Sequence, residues 1–407
     1  MSDNGSGGDS EKPKRESNQK KLNMNDITGV GTSWTRALLV PALALLTALI
    51  VGAFIIAVSD LDLLALWTSN PGQALADTWG KISGAYSAMF RGAFGDLQGW
   101  SETLTLAAPL ILAGLSVAVG FKAGLFNIGA EGQMVIGGLT AVVIGFSLDV
   151  PGIIHVPLAV LGGFIGGFVW GAIPGLLRAK TGAHEVITTI MLNFVALNLL
   201  TYLLKSSAIQ QPGRDDARSK LIQETARLPR LLSFMDDPRL RVHLGILIAL
   251  AAAGVVYWML FKTTLGFEIR AVGANPDASR YAGMNVLWLY VAAMGLAGGL
   301  AGLAGVNPTL GLQYRATPGF SAAIGFDAIA LALLGRSHPL GVVFAGILFG
   351  ALRSGGQEMQ AATGISIDLV LVVGALIVIF IAAPALIRSI YRVKTDDVSV
   401  SITKGIA

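Results

Sequence analysis

Long apolar runs separated by short polar clusters occupy most of the chain. Runs long enough to cross a bilayer as helices are centred at about 37–58, 103–121, 132–148, 154–177, 187–205, 243–261, 286–306, 320–335, 339–353 and 366–388. The pattern predicts an all-α polytopic membrane protein of about ten transmembrane helices, some of them interrupted. An even number of spans puts both termini on one side, and Lys20, Lys21 and Arg36 ahead of the first run point to the cytoplasm. Residues 1–35 are polar and aperiodic and read as a disordered cytoplasmic tail; 36–390 form the membrane domain, and 391–407 a second cytoplasmic tail.

The polar intervals differ in character. Residues 60–101 mix polar positions with Leu64, Trp67, Trp79, Tyr86, Phe90, Phe94 and Trp100, which predicts short amphipathic helices at the outer interface. Residues 206–242 form a long outer loop that holds seven of the 29 Lys and Arg residues, against the positive-inside rule. Its Asp215, Asp216, Glu224, Asp236 and Asp237 mix the signs, and its length allows a folded surface element. The tight basic clusters Arg178/Lys180, Lys262/Arg270/Arg280 and Arg388/Arg392/Lys394 fall where this topology requires cytoplasm.

Glycine recurs at four-residue spacing in Gly162/Gly166, Gly167/Gly171, Gly295/Gly299 and Gly346/Gly350, which predicts close helix packing within the chain, with dimerisation as the alternative. Pro157-Leu158 and Pro339-Leu340 each precede a glycine-spaced stretch, as an internally duplicated transporter with discontinuous helices would leave.

Composition narrows the function. Hydrophobic residues make up 53% of the chain and charged ones 13%, against roughly 25% charged in a soluble domain. The net charge of +4 comes from basic residues scattered at span ends, where lipid headgroups account for them, so nucleic acid is not an expected partner. There is no cysteine, no GxxxxGK[ST] and no HExxH, and His155, His184, His243 and His338 sit singly at span ends. No catalytic centre, metal site or cofactor is expected, and the chain is not read as an enzyme.

The stretch from Gly124 to Met134 places Glu131, Asn127, Gln133 and three glycines between two apolar runs, where lipid would not tolerate them. Glu131 therefore marks a candidate pathway, and Asp327 is a second such carboxylate. Each could pin a broken helix by accepting backbone N–H groups, or belong to a proton or sodium relay. In 262–285, Asn275 is a good N-cap with Pro276 at the first helical position, and Gly283 suits a left-handed end. This small-residue helix could dock on a cytoplasmic partner or be an ordinary connection.

Four blocks carry a family resemblance. They are Ala108–Leu112 leading into Phe121–Gln133, Gly182-Ala-His-Glu-Val-Ile-Thr-Thr-Ile-Met-Leu-Asn193, Ile269–Ala278 with Ala282-Gly283, and Gly325–Gly335 with Pro339-Leu340-Gly341. Over roughly 100–390 the chain resembles the permease subunits of ABC importers in the branched-chain amino acid and simple-sugar group, and the second block leans toward the nucleoside branch. The resemblance implies a permease domain that forms half of a path for nucleosides, powered by separate ABC ATPase subunits. It also implies a second, unlike permease and an extracellular substrate-binding lipoprotein as partners. It makes 269–283 the coupling helix, with Arg270, Gly273, Asn275, Pro276, Ala278 and Gly283 as the ATPase-coupling residues.

A nucleoside offers a flat base and a polyhydroxylated ribose, so a pocket would use aromatic faces, amides and hydroxyls. Phe126, Asn127, Gln133, Thr188, Thr189 and Asn193 fit that need, with Glu131 and Asp327 completing the pathway set. Asn127 and Asn193 could equally do no more than satisfy broken helix ends. The alternative functions are a proton- or sodium-coupled secondary carrier of a small polar solute and, behind it, a membrane scaffold.

Overall fold

The computed structural model describes residues 34–391. The expected tails 1–35 and 391–407, with Lys20, Lys21, Arg392 and Lys394, fall almost wholly outside these residues. Among the described residues the main elements are helices: α1 (Trp34–Val58), α2 (Leu61–Ser69), α3 (Pro71–Phe90), α4 (Leu97–Lys122), α5 (Ala130–Ser147), α6 (Gly152–Thr181), α7 (Glu185–Leu204), α8 (Gly245–Lys262), α9 (Thr264–Ala274), α10 (Pro276–Tyr281), α11 (Val286–Val306), α12 (Ile324–Leu334), α13 (Pro339–Thr363), α14 (Ile367–Ala382) and α15 (Pro384–Tyr391). Wider π-helical turns occupy Arg91–Gly95 and Asn307–Gln313.

Every predicted span contains a helix, but the helices are unequal. Seven are long and apolar enough to cross a bilayer alone, and α1, an apolar helix of 25 residues, is followed by a 76° bend into α2. Helix α14 is shorter, and α12 has 11 residues, about 17 Å of rise against about 30 Å of hydrocarbon. Helix α12 is therefore a half-span. The run expected to stop at residue 353 continues to Thr363. A Cβ on Gly355 would lie 2.2 Å from the Met89 carbonyl, so backbone contact with α3 carries the helix beyond its apolar run. Arg353 consequently sits inside a helix rather than at its end.

Helix α3, with 20 residues, is not short; Ala85 and Ala88 are buried in one cluster with Ala48 and Ile56 of α1 and Leu352 and Met359 of α13, while Trp79 and Phe90 remain exposed. The 206–242 segment is an ordered cap. Ser219 and Ile222 donate backbone N–H groups to Ala316 and Tyr314, Leu228 to Leu310, and Val242 to Ser101 Oγ.

Helix α4 is the hub, buried along nearly its whole length from Thr105 to Gly120, and its neighbours wrap it on all sides. By contrast α6 and α7 are largely unburied and turn apolar side chains such as Ile165, Val169, Met191 and Phe194 outward, as lipid-facing helices do. The tightest joint is between α6 and α11. A Cβ on Gly167 would lie 2.2 Å from the Gly298 carbonyl, and one on Gly302 2.2 Å from that of Gly163. Gly162, Gly166, Gly295, Gly299, Gly346 and Gly350 also meet neighbours in the chain, so the spaced glycines serve packing inside it rather than a dimer. Pro339 opens α13, whereas Pro157 lies inside α6, so the two prolines hold different places in their helices.

The two ends of α4 separate the faces of the bundle. At its start Glu102 pairs with Arg241 of the cap; at its end the 123–129 turn meets α9 and the Arg178–Glu185 corner. Segments expected outside thus gather at one end, and 262–285 lies at the other.

Candidate solute pathway and coupling site

The turn between α4 and α5 buries Leu125, Asn127 and Gly129, leaves Gly124 and Phe126 exposed, and is held by amides. Asn127 Nδ2 donates to Gln133 Oε1 at 2.9 Å, Gln133 Nε2 returns a bond to Asn127 Oδ1 at 3.1 Å, and Gly129 N–H donates to the same oxygen. Asn193 of α7 spans the break: its Nδ2 donates to Ile128 O at 2.9 Å and its Oδ1 accepts the Gly132 N–H at 2.9 Å. Both polar ends of Asn193 are engaged with the backbone. A wall built this way satisfies groups that lipid would leave bare.

Glu131, in the first turn of α5, accepts the Ser321 hydroxyl and, at 2.9 Å, the Gly325 N–H at the start of α12. The carboxylate thus caps a second broken helix that lies far away in sequence. Before α12, Gly319, Ala322 and Ala323 all have positive φ, and the two alanines are exposed. Two adjacent non-glycine residues in the left-handed region mark a strained bend. Two residues beyond Gly325, Asp327 pairs with Arg353 of α13, and both side chains are partly exposed.

Thr189 is buried and returns its hydroxyl to Glu185 O at 2.7 Å, and Thr188 does the same at 3.0 Å. The Phe126 ring is partly exposed and lies 5.1 Å from Phe121. The structure therefore brings Phe126, Asn127, Glu131, Gln133, Thr189 and Asn193 to one region around the α4–α5 break, while Asp327 stands apart on the α12–α13 seam. Sequence reasoning missed Ser321 and Arg353. The small residues Ser354, Gly355 and Gly356 directly after Arg353 were the available sign that a closely packed helix runs on past it.

The expected single helix over 269–283 is two. Thr263 caps α9, which carries Arg270 and Gly273, and extended Asn275 then caps α10 by accepting the Ala278 N–H at 3.0 Å. Pro276 holds the first position of α10 and Gly283 follows it with φ of +85°, as read from sequence. Except for buried Ser279, α10 presents its side chains to solvent, and Tyr281 is 95% exposed. Gly273 packs on the α4–α5 turn, where a Cβ would lie 2.3 Å from Lys122 O, and one on Gly124 would lie 3.0 Å from the Gly273 backbone. Helix α9, which precedes the exposed segment, is thus in direct backbone contact with the turn that leads into the polar wall. Among the described residues no group of acidic, histidine or cysteine side chains could hold a metal ion.

Residues 99–382 match the family described as branched-chain amino acid transport system / permease component. The chain belongs to this permease family. The permease is similar to the guanosine ABC transporter permease protein NupP of Bacillus subtilis, 39% identical over 86% of this chain and 94% of that protein. It is similar to the nucleoside ABC transporter permease protein NupB of Lactococcus lactis, 38% identical over 87% and 93%. It is also similar to the glucose ABC transporter permease protein TsgB13 of Haloferax volcanii, 37% identical over 76% and 82%. A second guanosine permease of the same Bacillus strain, NupQ, matches at 31% identity over 62% of this chain and 79% of its own length. No solved structure matches the chain.

Proposed function

We propose that this permease forms half of the pathway of an ATP-driven importer of nucleosides in a bacterial cell membrane. The observation that carries the reading is the near full-length similarity to the guanosine and nucleoside permeases. In this reading separate ABC ATPase subunits dock on exposed α10, and the Gly273–Gly124 contact passes their movement to the wall held by Asn127, Glu131, Gln133, Thr189 and Asn193. Phe126 and Thr188 border that wall, and Asp327 remains open to a solute. A second, unlike permease stands beside this one, as the similarity to both NupP and NupQ supports. The cleft lined by Arg91, Asp96, Glu102, Arg241 and Glu358 at the opposite end is the surface offered to an extracellular binding lipoprotein.

A sugar is the second reading, favoured by the Haloferax relative. Co-purification of the tagged chain identifies the other subunits, and the recovered complex is reconstituted into vesicles. Uptake of adenosine and uridine that requires ATP and the binding protein is expected. Uptake of glucose alone would favour the second reading. Uptake driven by an imposed ion gradient without ATP would replace the importer with a secondary carrier.

A further inference from the structure

The pairing of Asp327 with Arg353 is out of place for a lipid-facing surface. The α12–α13 hairpin turns at Gly335, whose added Cβ would meet Gly341 and Val342, and His338 in that turn stacks on Phe261 at the end of α8. From that end Asp327 lies about 12 Å along α12 and Arg353 about 18 Å along α13, well inside a hydrocarbon layer of about 30 Å. Their side chains are nevertheless 35% and 20% exposed. Charged groups at that depth are excluded from lipid contact, so the seam faces water or protein.

Three further features converge there. The bond from Arg353 to Asp327 Oδ2 is the one side-chain hydrogen bond either residue makes among the described residues, which leaves the other carboxylate oxygen and most guanidinium N–H groups open. The Phe326 ring, next to Asp327, is 47% exposed. The strained, exposed Ala322-Ala323 bend leads directly into this turn of α12, and small side chains there leave the approach clear. By contrast, the amides of Asn127, Gln133 and Asn193 are already occupied by one another and by backbone.

We propose that the α12–α13 seam, through Phe326, Asp327 and Arg353, is this subunit's solute-contacting station, taking a neutral solute with a planar ring and vicinal hydroxyl groups. The inference rests on the importer reading above and adds to it the place of contact. The ring stacks on Phe326, while hydroxyls donate to the free Asp327 oxygen and accept from the free N–H groups of Arg353. The pair presents both donors and acceptors without a net charge, which suits an uncharged polyol.

The test is initial-rate uptake of adenosine, uridine and ribose by the assembled complex in vesicles, with assembly checked by the amount of each subunit recovered. Phe326→Leu retains an apolar side chain for lipid or protein contact but removes the π face. It is expected to raise KM for both nucleosides about tenfold and to change KM for ribose little. The double variant Asp327→Asn with Arg353→Gln removes both charges together and leaves neither unpaired. It is expected to raise KM for every solute carried. Wild-type KM values for Phe326→Leu and for the double variant, in complexes recovered at normal amounts, would overturn the station. A wild-type complex that carries sugars and no nucleoside would overturn the substrate reading instead; the station then stands only if the double variant raises the KM of that sugar.

Discussion

Glu131 accepts the Gly325 N–H at 2.9 Å, so the first turn of α5 caps the first turn of α12. Both helices begin at this point, α5 just after the 123–129 turn and the half-span α12 just after the Ala322-Ala323 bend. One carboxylate joins the two interruptions into a single polar joint, with the Ser321 hydroxyl as its third member.

Removing that acceptor should harm the protein according to what replaces it. Glu131→Leu leaves the Gly325 N–H and the Ser321 hydroxyl without their partner, at about 1–3 kcal/mol for a buried group. Glu131→Gln keeps an acceptor oxygen. The expected outcome is that Gln retains most uptake and most extractable folded complex while Leu loses both. If Gln and Leu are equally inactive although both insert at normal levels, the carboxylate charge itself is needed and the capping account fails.

Asn193→Ala unpairs the Gly132 N–H and the Ile128 carbonyl at once. Each orphaned group costs about 1–3 kcal/mol when buried. The thermal midpoint of the purified chain in detergent, followed by tryptophan fluorescence, should fall clearly for Asn193→Ala and by less for Thr188→Ala, whose hydroxyl is partly exposed. An unchanged midpoint for Asn193→Ala would show that the break does not depend on this side chain.

The contact between α9 and the α4–α5 turn gives a separable prediction for coupling. Ala278 is exposed on α10, so Ala278→Trp should leave the thermal midpoint of the isolated chain unchanged while lowering substrate-stimulated ATP hydrolysis by the complex. Gly273→Ala should lower both, because its Cβ would meet Lys122 O at 2.3 Å. Normal stimulated hydrolysis with Trp at 278 would return α10 to the status of a plain connection.

The α6–α11 joint can be tested against an unconstrained glycine. Gly298→Ala places a methyl 2.2 Å from the Gly167 carbonyl and should cost about 1–3 kcal/mol by overpacking. Gly254→Ala in α8 meets nothing within 4 Å and should be neutral or stabilising by about 0.5–1 kcal/mol. Denaturation midpoints of the two variants that coincide would argue against the backbone contact.

What could be read from the sequence were properties set within a short window. Apolar runs located the helices because lipid demands a continuous apolar stretch, and Asn275, Pro276 and Gly283 marked the limits of α10 because caps act on the adjacent turn. The glycine spacing announced close packing, and the amides around Glu131 announced a break. Tertiary structure decided which groups meet. Glu131 finds Ser321 and Gly325, Asp327 finds Arg353, and Asn193 reaches across to Ile128 and Gly132, all between helices distant in sequence. It also decided that α13 runs past Arg353, since contact with α3 outweighs the end of the apolar run. Inside lipid, helices gain nothing from hiding apolar surface from one another, so shape fit and polar satisfaction choose the neighbours, and both depend on the whole packed chain rather than on any one stretch of it.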